Sequence, residues 1–96
     1  MAEYRLTPAA ERDLEGIWIY TAQQWGVEQA DRYIDLLTAS YTDLAGSPMT
    51  APSCEHIRVG YRRWRVERHM IYFRVTEYGI VVVRVLHDRM DARSRL

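Results

Sequence analysis

His69-Met70-Ile71-Tyr72-Phe73-Arg74-Val75-Thr76-Glu77-Tyr78-Gly79-Ile80-Val81-Val82-Val83-Arg84-Val85-Leu86-His87 is the stretch whose reading decides the fold. β-Branched and aromatic residues dominate both halves, and no proline interrupts them, as in paired strands. His69 to Thr76 reads as one strand and Ile80 to His87 as the next. Glu77-Tyr78-Gly79 between them fits a three-residue hairpin loop with Gly79 in the left-handed position. That loop sets Val75 opposite Val81, Phe73 opposite Val83 and Ile71 opposite Val85, six residues on one apolar face. The other face then carries Met70, Tyr72, Arg74, Val82, Arg84 and Leu86. It is too apolar for a face turned only to water, so it is expected to meet a partner.

Upstream, Ile57-Arg58-Val59 and Tyr61 to Glu67 read as a further strand, interrupted at Gly60 by a bulge or bend. Before it lies a loop over 46–56 with Pro48 and Pro52. Two helices precede the loop. Thr7-Pro8 has the chemistry of an N-cap and first helical position, and Glu11, Asp13 and Glu15 suit the positive end of the helix dipole. Ala10, Leu14, Ile17, Trp18 and Trp25 keep helical spacing up to Gly26. Ala30, Tyr33, Ile34, Leu37, Tyr41 and Leu44 repeat the pattern up to Gly46-Ser47-Pro48. The short link at Gly26 makes the helices antiparallel neighbours. Their stripe of Trp18, Trp25, Tyr33 and Tyr41 is assigned to the core, with Tyr20 off it. Tyr4-Arg5-Leu6 is a short extended segment, and the tail from Asp88 is polar and short or irregular. The fold class is α+β: one domain over 1–96, β-α-α-β-β-β, with an N-terminal strand and antiparallel helical hairpin packed on a mainly antiparallel sheet.

The 96 residues carry no net charge, yet the charge is divided. Residues 1–55 hold nine acids and three arginines, a net −6, whereas residues 56–96 hold ten arginines and four acids, a net +6. Every basic residue is Arg, whose planar fork pairs with carboxylate or phosphate and stacks on aromatic rings. A basic half implies an acidic partner, protein or nucleic acid. The lone Cys54 argues against a secreted disulfide scaffold. Met1 to Arg5 lacks the pattern of a signal peptide, and the apolar run Ile80 to Val83 is too short to span a bilayer, so the expected location is the cytoplasm, with no membrane partner.

Tyr61-Arg62-Arg63-Trp64-Arg65 interleaves cations with aromatics, as interaction surfaces do; an ordinary strand with Trp64 in the core explains it as well. Glu55, His56, Arg63, Arg65, Arg84 and His87 contain the groups that RNA cleavage requires, although sheet-surface and turn positions account for them more simply. His56, His69 and His87 lack metal-ligand spacing, and Cys54-Glu55-His56 is a poor ligand string. Neither a phosphate loop nor a serine nucleophile elbow is present, so no metal and no cofactor is expected.

Five strings in order resemble the ParE branch of the ParE/RelE superfamily of type II toxin–antitoxin toxins. They are Tyr4-Arg5-Leu6-Thr7 with Ala10 and Asp13-Leu14; Ile17-Trp18, Tyr20 and Trp25-Gly26; Ile57-Arg58-Val59-Gly60-Tyr61-Arg62; His69 to Val75; and Val83 to Asp91. The resemblance implies a bacterial growth-arrest toxin that inhibits DNA gyrase by protein binding. It also implies neutralisation by a ParD-like antitoxin in a hetero-oligomer. The antitoxin's acidic, amphipathic C-terminal segment would wrap the toxin, and its N-terminal domain would bind operator DNA, which the toxin meets only indirectly. The partner surface is assigned to Arg58, Tyr61, Arg62, Arg63 and Arg65, to Tyr72, Arg74, Arg84 and Leu86, and to His87, Arg89 and Met90. The alternative is a RelE-like, ribosome-dependent mRNA endonuclease using Arg65, Arg84 and His87. Lys is absent, no Tyr follows Tyr78, and Asp88 rather than Tyr follows His87. Those departures favour a non-enzymatic grip.

Overall fold

The structure is a computed structural model and describes residues 2–96. Strand β1 (Glu3–Leu6) leads into α1 (Pro8–Trp25). The Thr7 hydroxyl accepts the Ala10 amide hydrogen at 3.1 Å and donates its own to the Val83 carbonyl at 2.7 Å, so one side chain caps the helix and ties it to the sheet. Gly26 ends α1 and, with φ +96°, starts α2 (Val27–Gly46) without a spacer residue. An L side chain rarely adopts that backbone, which explains the glycine between the helices.

A turn of 3₁₀ helix at Pro48–Thr50 leads toward β2 (Tyr61–Val66), β3 (His69–Thr76) and β4 (Gly79–His87). The sheet order is β1-β4-β3-β2, with β1 parallel to β4 and the other pairs antiparallel. A short α3 (Ala92–Arg95) closes the chain. The α+β class and element order match the sequence reading. Leu37, Tyr41 and Leu44 of α2 and Ala10 of α1 bury themselves with Ile71, Phe73, Ile80, Val82 and Val85 of the sheet. This is the main core.

The hairpin register differs from expectation. Thr76 pairs with Gly79, so the loop has two residues, Glu77 and Tyr78. Val75 faces Ile80 and Phe73 faces Val82. A bulge at Val83 then absorbs one residue and restores Ile71 opposite Val85, as expected. Because a one-residue slip exchanges faces, Ile80 and Val82 enter the core, while Val75 is 46% exposed and Val81 and Val83 are half-buried. The cause lies in β1. A Cβ on Gly79 would stand 2.0 Å from the Glu3 carbonyl oxygen, so glycine here lets the parallel strand approach and is not a loop residue.

Three further expectations are corrected. Residues 57–59 form turn rather than strand; the turn is tied by the Gly60 amide donating to Glu55 Oε2 and by Cys54 N–H donating to the Tyr61 carbonyl. Trp25 is 75% exposed and lies outside the core, while Trp18 is half-buried and donates its indole N–H to Asp31 at 2.8 Å. The sheet face away from the helices is covered in part by the tail. Tyr72 and Leu86 are buried there against Cys54 and Ala92, with Ile57, Tyr61, Met70 and Leu96 packed around them.

Candidate partner-binding surfaces

Arg84 is the clearest change to the expected grip. Its Nε and Nη2 donate to the two carboxylate oxygens of Asp13, both at 2.8 Å, and its Nη1 donates to the Arg95 carbonyl. The side chains are only 22% and 13% exposed. Asp13 Oδ2 also accepts the Val85 amide hydrogen at 2.9 Å. β1 pairs with β4 as far as Leu6 and Val82, and beyond it the Asp13 carboxylate takes a donor that another strand would have satisfied. The fork-to-carboxylate contact raises the Arg84 pKa further. Arg84 is thus a clamp between α1, β4 and the tail, its fork already filled within the chain. Asp13 carried a readable signal: it lies three residues after Ala10 and four before Ile17, an acid on the apolar stripe.

Tyr72 and Leu86, also assigned to that surface, are buried under the tail. Arg62 is half-buried and donates to the Ala51 carbonyl, and Arg58 is exposed but bonds the Leu96 carbonyl. Arg74 is exposed with its guanidinium 6.0 Å from the centre of the half-buried Tyr61 ring. Arg89 and Met90 are exposed at the turn after β4.

Arg65 and His87 both lie beside Asp88: Arg65 donates to Oδ2, whereas His87 Nδ1 accepts the Arg89 amide hydrogen and leaves Asp88 Oδ1 without a hydrogen bond. Arg65 Nη1 lies 3.0 Å from Asp88 Oδ2, and His87 Nδ1 lies 3.1 Å from Asp88 Oδ1. The hydrogen bond from Arg65, and then the neighbouring positive charge, hold the Asp88 carboxyl below the usual range. Arg84 is committed to Asp13 instead, so the three residues considered for RNA cleavage do not form one set of free groups.

Two concavities flank this linkage. The larger, about 810 Å³, is a groove between α1, the start of α2 and the ends of β3 and β4. Ile17, Tyr20, Trp25 and Met90 give it apolar walls, and Arg12 and Arg68 stand at its rim. Sequence reasoning missed Trp25 as a wall residue by placing it in the core; its position at the very end of α1, beside Gly26, was the available hint. At the groove floor, the Tyr33 hydroxyl lies 2.7 Å from His69 Nδ1 and 3.2 Å from the Val66 carbonyl. Both contacts are satisfied when His69 Nδ1–H donates to the hydroxyl and the hydroxyl donates to Val66. Burial raises the Tyr33 pKa; burial first, and then His87, lower that of His69. The His69 and His87 rings meet edge to face at 5.4 Å.

The smaller concavity, about 400 Å³, opens on the opposite side of the sheet. Arg63, Arg65, His56 and Arg93 stand around it, and Met70 and Tyr72 lie beneath. Among the described residues, no group of His, Cys, Asp and Glu has the arrangement of a metal site.

The family model for the ParE toxin of the type II toxin–antitoxin system, parDE, matches residues 4–92. The chain belongs to the ParE toxin family. It is 42% identical over 96 residues to Toxin ParE1 of Mycobacterium tuberculosis H37Rv, covering 99% of this chain and 98% of that one. Toxin ParE1 of Caulobacter vibrioides is 41% identical, with 100% and 99% covered. Toxin ParE of Escherichia coli is 37% identical over 98 residues, with 100% and 94% covered. A solved chain from the chromosomal ParDE system of P. aeruginosa superposes with a TM-score of 0.78 at 20% identity, covering 91% of this ParE chain and 96% of that chain, and so shares the fold. Among the described residues, no helix is long and apolar enough to cross a membrane.

Proposed function

We propose that this type II toxin arrests growth in the bacterial cytoplasm by binding DNA gyrase, without enzymatic activity of its own, and that a ParD-like antitoxin neutralises it. The groove along α1 carries the antitoxin part of this reading. Its apolar walls, with Tyr20 and Trp25 exposed, suit the apolar face of an amphipathic helix, and Arg12 and Arg68 suit the acids on that helix's flanks. A segment disordered when free would fold as it docks. Operator DNA would be met through the antitoxin. The non-enzymatic reading is supported by the Asp13–Arg84 clamp, which takes one of the three candidate RNA-cleaving groups. It is also supported by the full-length likeness to proteins named Toxin ParE.

Purified toxin added to gyrase and relaxed plasmid tests the proposal, beside a translation reaction with labelled mRNA. Supercoiling is expected to fall, cleaved DNA to accumulate, antitoxin to reverse both effects, and mRNA to stay intact. Normal supercoiling with mRNA cut on the ribosome would overturn the proposal in favour of an endonuclease.

A further inference from the structure

We infer that Glu67, in the turn between β2 and β3, is a specificity residue of the larger groove, and that the segment docking there presents a lysine or arginine to it. This rests on the groove as the antitoxin seat and states what the antitoxin must carry there. Val66 pairs with His69, so Glu67 and Arg68 form a two-residue hairpin loop. Glu67 has φ +51°, and among the described residues no other non-glycine has a positive φ. A loop position with positive φ is ordinarily filled by Gly, Asn or Asp. Glutamate is a costlier occupant, and such strain gathers at sites of function.

The surrounding chain holds the turn in this conformation. Three successive carbonyls accept hydrogen bonds: Val66 from the Tyr33 hydroxyl at 3.2 Å, Glu67 from Arg65 Nη1 at 3.2 Å, and Arg68 from the Asp88 amide at 2.8 Å. Helix α2, strand β2 and the turn after β4 thus fix it together. The Glu67 side chain takes no part in this. Glu67 is exposed, lines the groove and, among the described residues, forms no ion pair. The strained residue therefore gains nothing from its own carboxylate within the chain, which points to use by a partner.

Two carboxylates line the groove, Asp13 and Glu67. Asp13 is filled by Arg84 and the Val85 amide, which leaves Glu67 as the free one. Burial first, and then the Glu67 charge, raise the Tyr33 pKa, so this carboxylate acts on the groove floor. A uniformly acidic segment gains at Arg12 and Arg68 but is repelled at Glu67, and covering Glu67 without a counter-charge costs its hydration. A segment with a cation at that point gains a charge pair and avoids the repulsion. Glu67 and Arg68 are consecutive, so a partner must match two opposite signs side by side. That fixes its register along the groove and rejects segments lacking the cation.

The test measures binding of immobilised toxin to the ParD-like antitoxin by surface plasmon resonance, with each Lys and Arg of the antitoxin's C-terminal segment changed in turn to Gln. Glu67→Gln should bind wild-type antitoxin about five- to tenfold more weakly. One antitoxin variant should lose about the same factor with wild-type toxin and nothing further with Glu67→Gln. Glu77→Gln removes the same charge from the β3–β4 turn, at the other end of those strands, and should retain affinity. Glu67→Gly should raise the Tm of the free toxin by about 2–5 °C, by relieving the positive φ, yet bind as weakly as Glu67→Gln. The inference is overturned by undiminished binding of the two Glu67 variants, by strictly additive losses at every antitoxin position, or by a lower Tm of Glu67→Gly, which would make Glu67 a structural residue of the turn. Undiminished binding of Tyr20→Ala/Trp25→Ala overturns the groove as the antitoxin seat, and the inference with it; loss there with indifference at Glu67 overturns the inference alone.

Discussion

The two faces of the sheet bury their side chains by different means. On one face, two long helices cover Ile71, Phe73, Ile80 and Val82 and complete the main core. On the other, a short tail and the turn before β2 cover Tyr72 and Leu86 with little more than Cys54, Ala92, Ile57 and Leu96. The second face is therefore not the open, half-apolar grip that its composition suggested. Its apolar centre is used in folding, and its arginines form a rim. Exposed aromatic surface lies elsewhere, in the groove beside α1. Zero net charge conceals this division, because the acids lie mostly on the helices and the arginines mostly on the sheet and tail.

Removing a large side chain from the helix-covered face should have the greatest effect on stability. Phe73→Ala is expected to cost about 3–5 kcal/mol in urea unfolding. Leu86→Ala, under the tail, should cost less, about 2–3 kcal/mol, because a short tail can settle into the space. An equal or greater loss at Leu86 would put the tail-covered face on the same footing as the main core. Asp13→Ala should cost about 2 kcal/mol by stranding the Arg84 guanidinium and the Val85 amide, and Arg84→Ala should add little to it in a double-mutant cycle. Fully additive losses would show that the two side chains do not act as a pair.

Acidification should reveal a smaller effect at the groove floor. The folded His69 pKa is depressed, first by burial and then by His87. The unfolded chain thus takes up its proton first, so this stabilising contribution is complete above about pH 6.5 and is lost as pH falls toward the folded value. Thermal unfolding of His69→Gln should show a weaker pH dependence over that window than wild type; identical slopes would remove His69 as the source. The least effect on stability is expected for Trp25→Ala, within about 0.5 kcal/mol, since the ring is exposed. A fall of several degrees in Tm would show that Trp25 belongs to the core.

Features set by neighbouring residues were legible in the sequence. Thr7-Pro8 and Gly26 mark helix ends through their own backbone and side-chain chemistry, and alternation along His69 to Thr76 and Ile80 to His87 marks strands. Features set by distant residues were not. Gly79 resembles a loop glycine until β1 approaches it, and that approach moves the register by one residue. The Asp13–Arg84 clamp joins residues 71 positions apart. The tail is polar in composition, and only Ala92 and Leu96 show where it folds back. The charge division places Arg63 and Arg65 in the basic half of the chain, and both line the small concavity. It gave no view of the groove, whose walls come from α1, α2 and two strand ends.

The most direct test of function titrates toxin against gyrase supercoiling and then antitoxin against the inhibited reaction, comparing wild type with Tyr20→Ala/Trp25→Ala. With the groove as the antitoxin seat and gyrase as the target, the variant should inhibit supercoiling like wild type yet need at least tenfold more antitoxin for reversal, a deficit of about 1.4 kcal/mol or more. Reversal of the variant at wild-type antitoxin concentrations would contradict the groove as that seat, and unimpeded supercoiling with wild-type toxin would contradict gyrase as the target.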